Sequence, residues 1–361
     1  VTRRVLVVRL DSFGDVLVSG PAVRAIAAAP DTEVEMLCGP VGVAAAQMLP
    51  GPVGVRVWSC PWVTESAREV DAAAVAELTA ILDEVRPDEA VILTSFHQSP
   101  LPIALLLRLA GVRRIAGASV DHAGPLLDVR LRPGEDLDED LPEPERALAI
   151  ARAAGYPLPP EDDGRLRVVV DESVPPEVAA LDRYVVVHPG ASVPARSWPV
   201  EHHAALVRRF ADLGVPVVVT GGPGERDLTA RAAGTTGIDL GGRTTPGALA
   251  AVLAGAEVVV VGNTGPAHLA AAVGAPIVSL FSPVIPASRW APYADDVVLL
   301  GDQGAACRLT RARDCPVPGH PCLAGVSPDD VLAAYRMLRD RRPVDRPGVH
   351  LSQVTDRRPR R

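Results

Sequence analysis

Short runs that are apolar at nearly every position recur along the chain, most of them followed by a longer Ala- and Leu-rich stretch of helical spacing. VLVVRL (5–10), VEML (34–37), AVILT (90–94), RYVVVH (183–188), VPVVVT (215–220), EVVVVG (257–262) and PIVSLF (276–281) predict strands. The other pattern predicts helices over 20–29, 71–84, 100–110, 143–154, 200–213, 224–233, 246–254, 265–273 and 327–340. Strands that lack a polar face belong in a sheet covered on both sides, and strand–helix alternation makes that sheet parallel. The alternation occurs in two series. Between them lie the acidic, proline-rich RPGEDLDEDLPEPE, a helix, and GYPLPPEDDG, together reading as an interdomain connection. The expectation is an α/β chain of two Rossmann-like halves, residues 1–170 and 171–342, facing each other across a cleft. A disordered Arg-rich tail, 343–361, follows.

In open parallel sheets ligands sit beyond the carboxyl ends of the strands, so the residues after each strand are the candidates. They are DSFGD, PGASVPARSWP, GGPGERD, NTGPAHLAAA and SPVIPASRW. Glycine lets backbone N–H groups approach oxygens, a helix N-terminus favours anions, and arginine adds charge, so this set suits phosphate. Asn263-Thr264-Gly265-Pro266 starts a helix, with Pro266 near its first position and His268 on its first turn. It is either a well-capped helix with a surface histidine or a pyrophosphate seat with His268 donating to an oxygen. Gly221, Gly222 and Glu225 belong either to a plain turn or to a loop closing on a nucleotide. GGPGERD is not GxGxxG, and no acid is placed for a dinucleotide ribose, which disfavours a nicotinamide dehydrogenase. Arg196 either lays its stem on Trp198 or clamps phosphate. Asp15 either complements a helix dipole or serves as a base, with Asp11 as its local rival.

Composition narrows the classes. No stretch of 18 uninterrupted apolar residues exists, so no transmembrane helix is expected. Arg3 and Arg4 precede a short β-like run without a small-residue cleavage site, which argues against a signal peptide. Five cysteines, an odd and small number, fit a reduced, cytoplasmic protein. All 36 basic residues are arginine, so neither a lysine Schiff base nor a Walker A loop can form. The net charge is −8 although the tail is basic, and an acidic body disfavours nucleic acid. For the tail, attraction to acidic lipid at the inner membrane face is the second reading. Cys307, Cys315 and Cys322 lack the close pair of a structural zinc site and are read as reduced thiols.

Three segments together resemble the heptosyltransferase-like glycosyltransferase family 9: RLDSFGDVLVSGPAVRAI, HPGASVPARSWPVEHHAALVRRFADLGVPVVVTGGPGERD and LAGAEVVVVGNTGPAHLAAAVGAPIVSLFSP. The resemblance implies the GT-B fold and inverting transfer of a sugar, by default heptose, from a nucleotide diphosphosugar, by default ADP-linked. It implies Asp15 as general base, with the nucleotide on the C-terminal half. Arg196 falls where the family has a phosphate-contacting lysine. Thr264, Gly265 and His268 fall in its phosphate-binding turn, beside Pro266, and Glu225 falls near the nucleoside. Asn263 replaces an acid common there. The N-terminal half would bind the acceptor, with Asp11, Ser12, Phe13, Gly14 and His97 on that side. TSFHQSP (94–100) stands where many members have an Asp-Leu-Gln-Gly type segment, so the acceptor is an envelope glycan or a secondary metabolite. No DxD motif is placed for a metal, and neither metal nor cofactor is expected. A nucleotide-sugar hydrolase or epimerase, and a noncatalytic nucleotide-sugar-binding protein, are the alternatives.

Overall fold

The computed structural model describes residues 2–63 and 69–341; the tail expected over 343–361 lies outside them. The first sheet contains β1 (Arg3–Arg9), β2 (Thr32–Cys38), β3 (Gly54–Val57), β4 (Glu89–Ile92), β5 (Arg114–Ala118) and β6 (Val129–Leu131). The second contains β7 (Val185–His188), β8 (Val217–Val219), β9 (Ile238–Asp239), β10 (Val259–Gly262), β11 (Ile277–Leu280) and β12 (Val297–Leu300). The spatial orders are β3-β2-β1-β4-β5-β6 and β9-β8-β7-β10-β11-β12, the same doubly wound order twice. Every strand pair is parallel. The N-terminal helices are α1 (Phe13–Val18), α2 (Gly20–Ala27), α3 (Val43–Met48), α4 (Ala72–Val85), α5 (Leu101–Leu109) and α6 (Glu143–Ala153). They continue as α7 (Pro176–Ala179), α8 (Val200–Asp212), α9 (Arg226–Ala233), α10 (Pro246–Ala254), α11 (Gly265–Ala272), α12 (Ala287–Trp290), α13 (Pro321–Ala324) and α14 (Pro328–Arg341).

The central strands are the ones whose apolar runs are unbroken. β7 and β10 are buried at every position, as a sheet with helices on both faces requires. β3 and β6 are short and only half-buried, and sequence patterning missed them because an edge strand needs no second apolar face. The helix expected from residue 20 begins seven residues earlier, at Phe13. Ser12 is extended, and its N–H donates to the Asp15 carboxylate at 3.1 Å, which fixes the first turn. The helix breaks at Ser19 because Pro21 has no N–H for the preceding turn, and α2 restarts there. Part of the connecting segment is also not free: Glu143, the first residue of α6, has a side chain only 1% exposed.

The switch point of the first sheet lies between β1 and β4, that of the second between β7 and β10. The two halves pack together through α1 and α11. Gly14 is the reason they can come so close: a Cβ there would lie 3.1 Å from His268 Cδ2 and 3.2 Å from Gly265 Cα. Phe13 covers Gly265 from the other side, its Cδ1 3.2 Å from where that residue's Cβ would stand. One apolar cluster therefore runs from Val5 and Val16 through to Ala267 and Val259.

Candidate active site

Arg9 is the last residue of β1, at the end of an apolar strand, and it is 2% exposed. A charge so placed must be paired. Its Nη2 lies 2.9 Å from Asp15 Oδ1, 3.2 Å from Asp11 Oδ2 and 3.7 Å from Glu143 Oε2, and it donates to Ser95 Oγ at 2.9 Å. Ser95 follows β4, which is hydrogen-bonded to β1, so the switch point itself brings these groups together. Having accepted from Arg9, the Ser95 hydroxyl donates to Asp11 Oδ2.

The two aspartates are thereby made different. Burial alone would raise the pKa of Asp15. The Arg9 guanidinium and the Ser12 hydroxyl and N–H, which all favour the carboxylate, outweigh it and hold Asp15 below the usual range. Asp11 moves the other way, because burial and the nearby Asp15 charge exceed the help it receives from Arg9 and Ser95. Burial would also lower the pKa of Arg9, yet Asp11, Asp15 and Glu143 together hold it above its ordinary value. Glu143 itself is raised by burial. Asp15 is thus the carboxylate of the group whose charged form is most favoured, and its side chain is more exposed than that of Asp11, at 15% against 7%.

Asp11, Ser12, Asp15 and Ser95, backed by Arg9, form one wall of a cleft of about 1170 Å³ between the two halves. The facing wall is built by the end of β10 and the start of α11. Thr264 is the extended N-cap of α11, and Asn263, Thr264, Gly265 and His268 all line the cleft. Pro266 takes the second helical position, where its missing N–H breaks no helical bond. His268 is buried, its Nδ1 has no hydrogen-bond partner among the described residues, and burial pushes its pKa down to about 4 against the opposing effect of Asp15. The ring is neutral at pH 7 and keeps one N–H to donate.

Arginine supplies the positive charge of this wall. Arg196 lies in a turn of 3₁₀ helix after β7, with its Nε unpartnered among the described residues. Burial lowers its pKa, and Asp15 partly restores it. Arg308 and Arg311 reach the same cleft from the segment after β12. Leu309 and Arg311 there have φ of 62° and 58°, a left-handed backbone that costs an L-residue about 1–2 kcal/mol. Hydrogen bonds from Leu309 N to Pro283 O at 2.9 Å and from Arg311 N to Val284 O at 2.8 Å hold it. On the other rim, the Arg289 guanidinium stacks 3.8 Å above the Phe96 ring, joining the halves across the cleft.

Of the residues singled out from sequence, Asp11, Ser12, Gly14, Asp15, His97, Arg196, Asn263, Thr264, Gly265 and His268 meet in this cleft. Phe13 and Pro266 do not line it; Phe13 packs the seam beside it. Gly221, Gly222 and Glu225 form a separate cluster. Glu225 accepts from Gly222 N at 2.7 Å and fills the space that a Cβ on Gly190 or Gly221 would need. Sequence reasoning passed over Arg9, Ser95, Glu143, Phe96, Arg289 and Arg311. Arg9 carried a signal as a charge in an otherwise apolar strand, and Ser95, Phe96 and Arg289 lay unnamed inside the segments TSFHQSP and SPVIPASRW; Glu143 and Arg311 are brought in by the fold from segments without a motif.

Residues 98–319 match the model of glycosyltransferase family 9 (heptosyltransferase). The chain is 32% identical over 208 residues to lipopolysaccharide heptosyltransferase 1 of Pseudomonas aeruginosa, over 56% of this chain and 58% of that protein. It thus spans little more than half the length of that relative. In fold it is similar to a glycosyltransferase family 9 structure from Veillonella parvula, with a TM-score of 0.73, 18% identity, and 93% and 97% of the two chains covered. It is also similar to the ADP-heptose lipopolysaccharide heptosyltransferase II of Escherichia coli, with a TM-score of 0.71, 21% identity, and 93% and 98% covered.

Proposed function

Because the chain belongs to glycosyltransferase family 9, we propose that it transfers a sugar, by default heptose, from an ADP-linked diphosphosugar to an acceptor hydroxyl, with inversion and with Asp15 as the base. The observation that carries this reading is the pairing of Arg9 with Asp15 opposite the α11 N-terminus: an ionised carboxylate faces a phosphate-binding wall across one cleft.

The acceptor hydroxyl attacks the anomeric carbon as the bond to the diphosphate oxygen breaks, and its proton passes to Asp15. A carboxylate is a weak base for an alcohol, yet it suffices where proton transfer lags behind bond formation. The charge growing on the departing diphosphate meets Arg196, Arg311, the neutral His268 and the Gly265 N–H at the start of α11. Arg196, Arg308 and Arg311 on the wall of the C-terminal half supply the charge that a metal supplies in DxD transferases, which supports metal independence. The family of the relatives and the name of the Escherichia coli neighbour support ADP-heptose as donor. Among the described residues no helix is long and apolar enough to cross a membrane.

A thermal-shift panel of ADP-, UDP-, GDP- and dTDP-linked sugars tests the reading, followed by transfer assays with Asp15→Ala. Selective stabilisation by an ADP-sugar, and loss of transfer with retained binding, are expected. Donor hydrolysis without acceptor would favour a hydrolase, and full activity of Asp15→Ala would remove the assigned mechanism.

A further inference from the structure

A second cavity, of about 330 Å³, adjoins the large cleft at the carboxyl ends of β1 and β4. Leu10, Trp62, Val63, Ile92, Pro102 and Ile103 give it apolar walls. Asp11, Val63, His97 and Gln98 line both cavities, so the two spaces adjoin along these residues. Asp11 on the shared wall and Asp15 in the cleft are bridged by one hydroxyl: Ser95 Oγ donates to Asp11 and lies 3.3 Å from Asp15 Oδ1. A molecule with its hydroxyl on Asp15 therefore has this cavity as its nearest recess.

Most of the lining is apolar, with Asp11, Thr94, His97, Gln98 and Ser99 as its polar members, so it suits an apolar group better than a sugar hydroxylated on every side. A sugar hydroxyl buried against Trp62 or Ile103 without a partner costs about 1–3 kcal/mol, whereas apolar surface gains about 25 cal/mol per Å² buried. One polar atom of this lining is buried without a partner. Thr94 is 9% exposed, lines the cavity, and its Oγ1 has no hydrogen-bond partner among the described residues.

We propose that this cavity is an acceptor subsite for an apolar group, of the size of a fused ring pair, carried next to the hydroxyl that receives the sugar and bearing one hydrogen-bonding atom for Thr94 Oγ1. It rests on the transferase reading for the role of the occupant, not for its chemistry. The acceptor is thus an amphipathic molecule with a compact apolar end, rather than a glycan that is hydroxylated throughout.

The test uses 2-naphthol as probe and methyl β-glucoside as polar control, with binding followed by ligand-observed NMR on the full chain. Ser99, an exposed residue on the cavity rim, is changed to Trp to fill it, and Thr94→Val removes the waiting hydroxyl. Naphthol is expected to bind the wild type and to weaken about tenfold or more in Ser99→Trp, with a smaller loss in Thr94→Val. Methyl β-glucoside is expected not to bind measurably. ADP, titrated into the same samples, should bind all three proteins equally, which shows that they are folded. Naphthol binding that is no better than glucoside binding, or that is unchanged in Ser99→Trp, overturns the proposal. If naphthol behaves as expected while no protein binds ADP, the donor reading falls and the apolar site stands.

Discussion

The Arg9 guanidinium donates to Asp15 at 2.9 Å from a side chain that is almost wholly buried, and the same nitrogen lies 3.2 Å from Asp11. One cation at the end of β1 thus sets the protonation of both carboxylates in the opening motif. It keeps Asp15 ionised, while Asp11, with less help against burial, is pushed upward.

Replacing Arg9 by Met keeps the volume and removes the charge. Asp11, Asp15 and Glu143 then share a buried space without a cation, and the fold should lose about 3–5 kcal/mol in a denaturant titration. In protein that remains folded, the pKa of Asp15 rises, so the acid limb of the kcat/KM profile moves to higher pH. An unmoved limb would detach Arg9 from the base.

Asp15→Asn preserves shape and leaves Arg9 paired with Asp11 and Glu143. Transfer should fall by about 10²–10⁴, with ADP affinity unchanged by calorimetry. Asp11→Asn should cost less, since burial disfavours its charged form and its carboxylate is engaged by the Ser95 hydroxyl and Arg9.

Gly14→Ala places a methyl group 3.1 Å from His268 Cδ2 and 3.2 Å from Gly265 Cα. The halves must part by a few tenths of an ångström where base and phosphate wall face each other. Transfer should fall several-fold to about tenfold, since small misplacements of reacting groups are expensive. The melting temperature, read on the same sample, should change little.

Arg196→Met should weaken ADP binding about tenfold to a hundredfold, the loss of one charge-assisted contact. Adenosine, which lacks the diphosphate, should bind the variant and the wild type alike. Equal weakening of both would place Arg196 elsewhere than on phosphate.

Acid should destabilise the fold through buried histidines. Burial pushes His203 down to about 3 and His188 and His268 down to about 4, against an ordinary value of 6.5. Below pH 6.5 the unfolded chain takes up protons that the folded rings refuse. The stability these rings contribute is therefore complete above that pH and drains away down to about 4. The slope is about 1.4 kcal/mol per pH unit for each ring. Denaturant midpoints between pH 7 and 4.5 measure it, and His203→Gln should flatten the curve.

Much of this molecule was legible in the chain, for identifiable reasons. The unbroken apolar runs of β1, β7 and β10 made the two parallel sheets readable, and a parallel sheet places ligands at strand ends. That rule made Asp15, Arg196 and His268 candidates, and the family resemblance implied their roles. What the pattern could not show was convergence. Glu143 looked like one more acid in an acidic connection until α6 brought it against Arg9. Arg311 had no motif, and only a left-handed backbone turn aims it at the cleft. Glu225, by contrast, stands beside the motif glycines and serves Gly190 and Gly222 rather than the cleft wall.

The absence of two side chains at Gly14 and Gly265 also has a mechanical meaning. α1 and α11 meet closely beside Asp15, so a rigid rotation of one half on the other that pivots on this contact would have its fulcrum there. Displacement grows with distance from a fulcrum. Such a rotation would swing the stacked Phe96 and Arg289 apart along a long arc, yet hardly alter the spacing between Asp15 and the start of α11. In such a rotation Asp15 and the start of α11 would sit at the still point of the lever, and the rim would do the travelling.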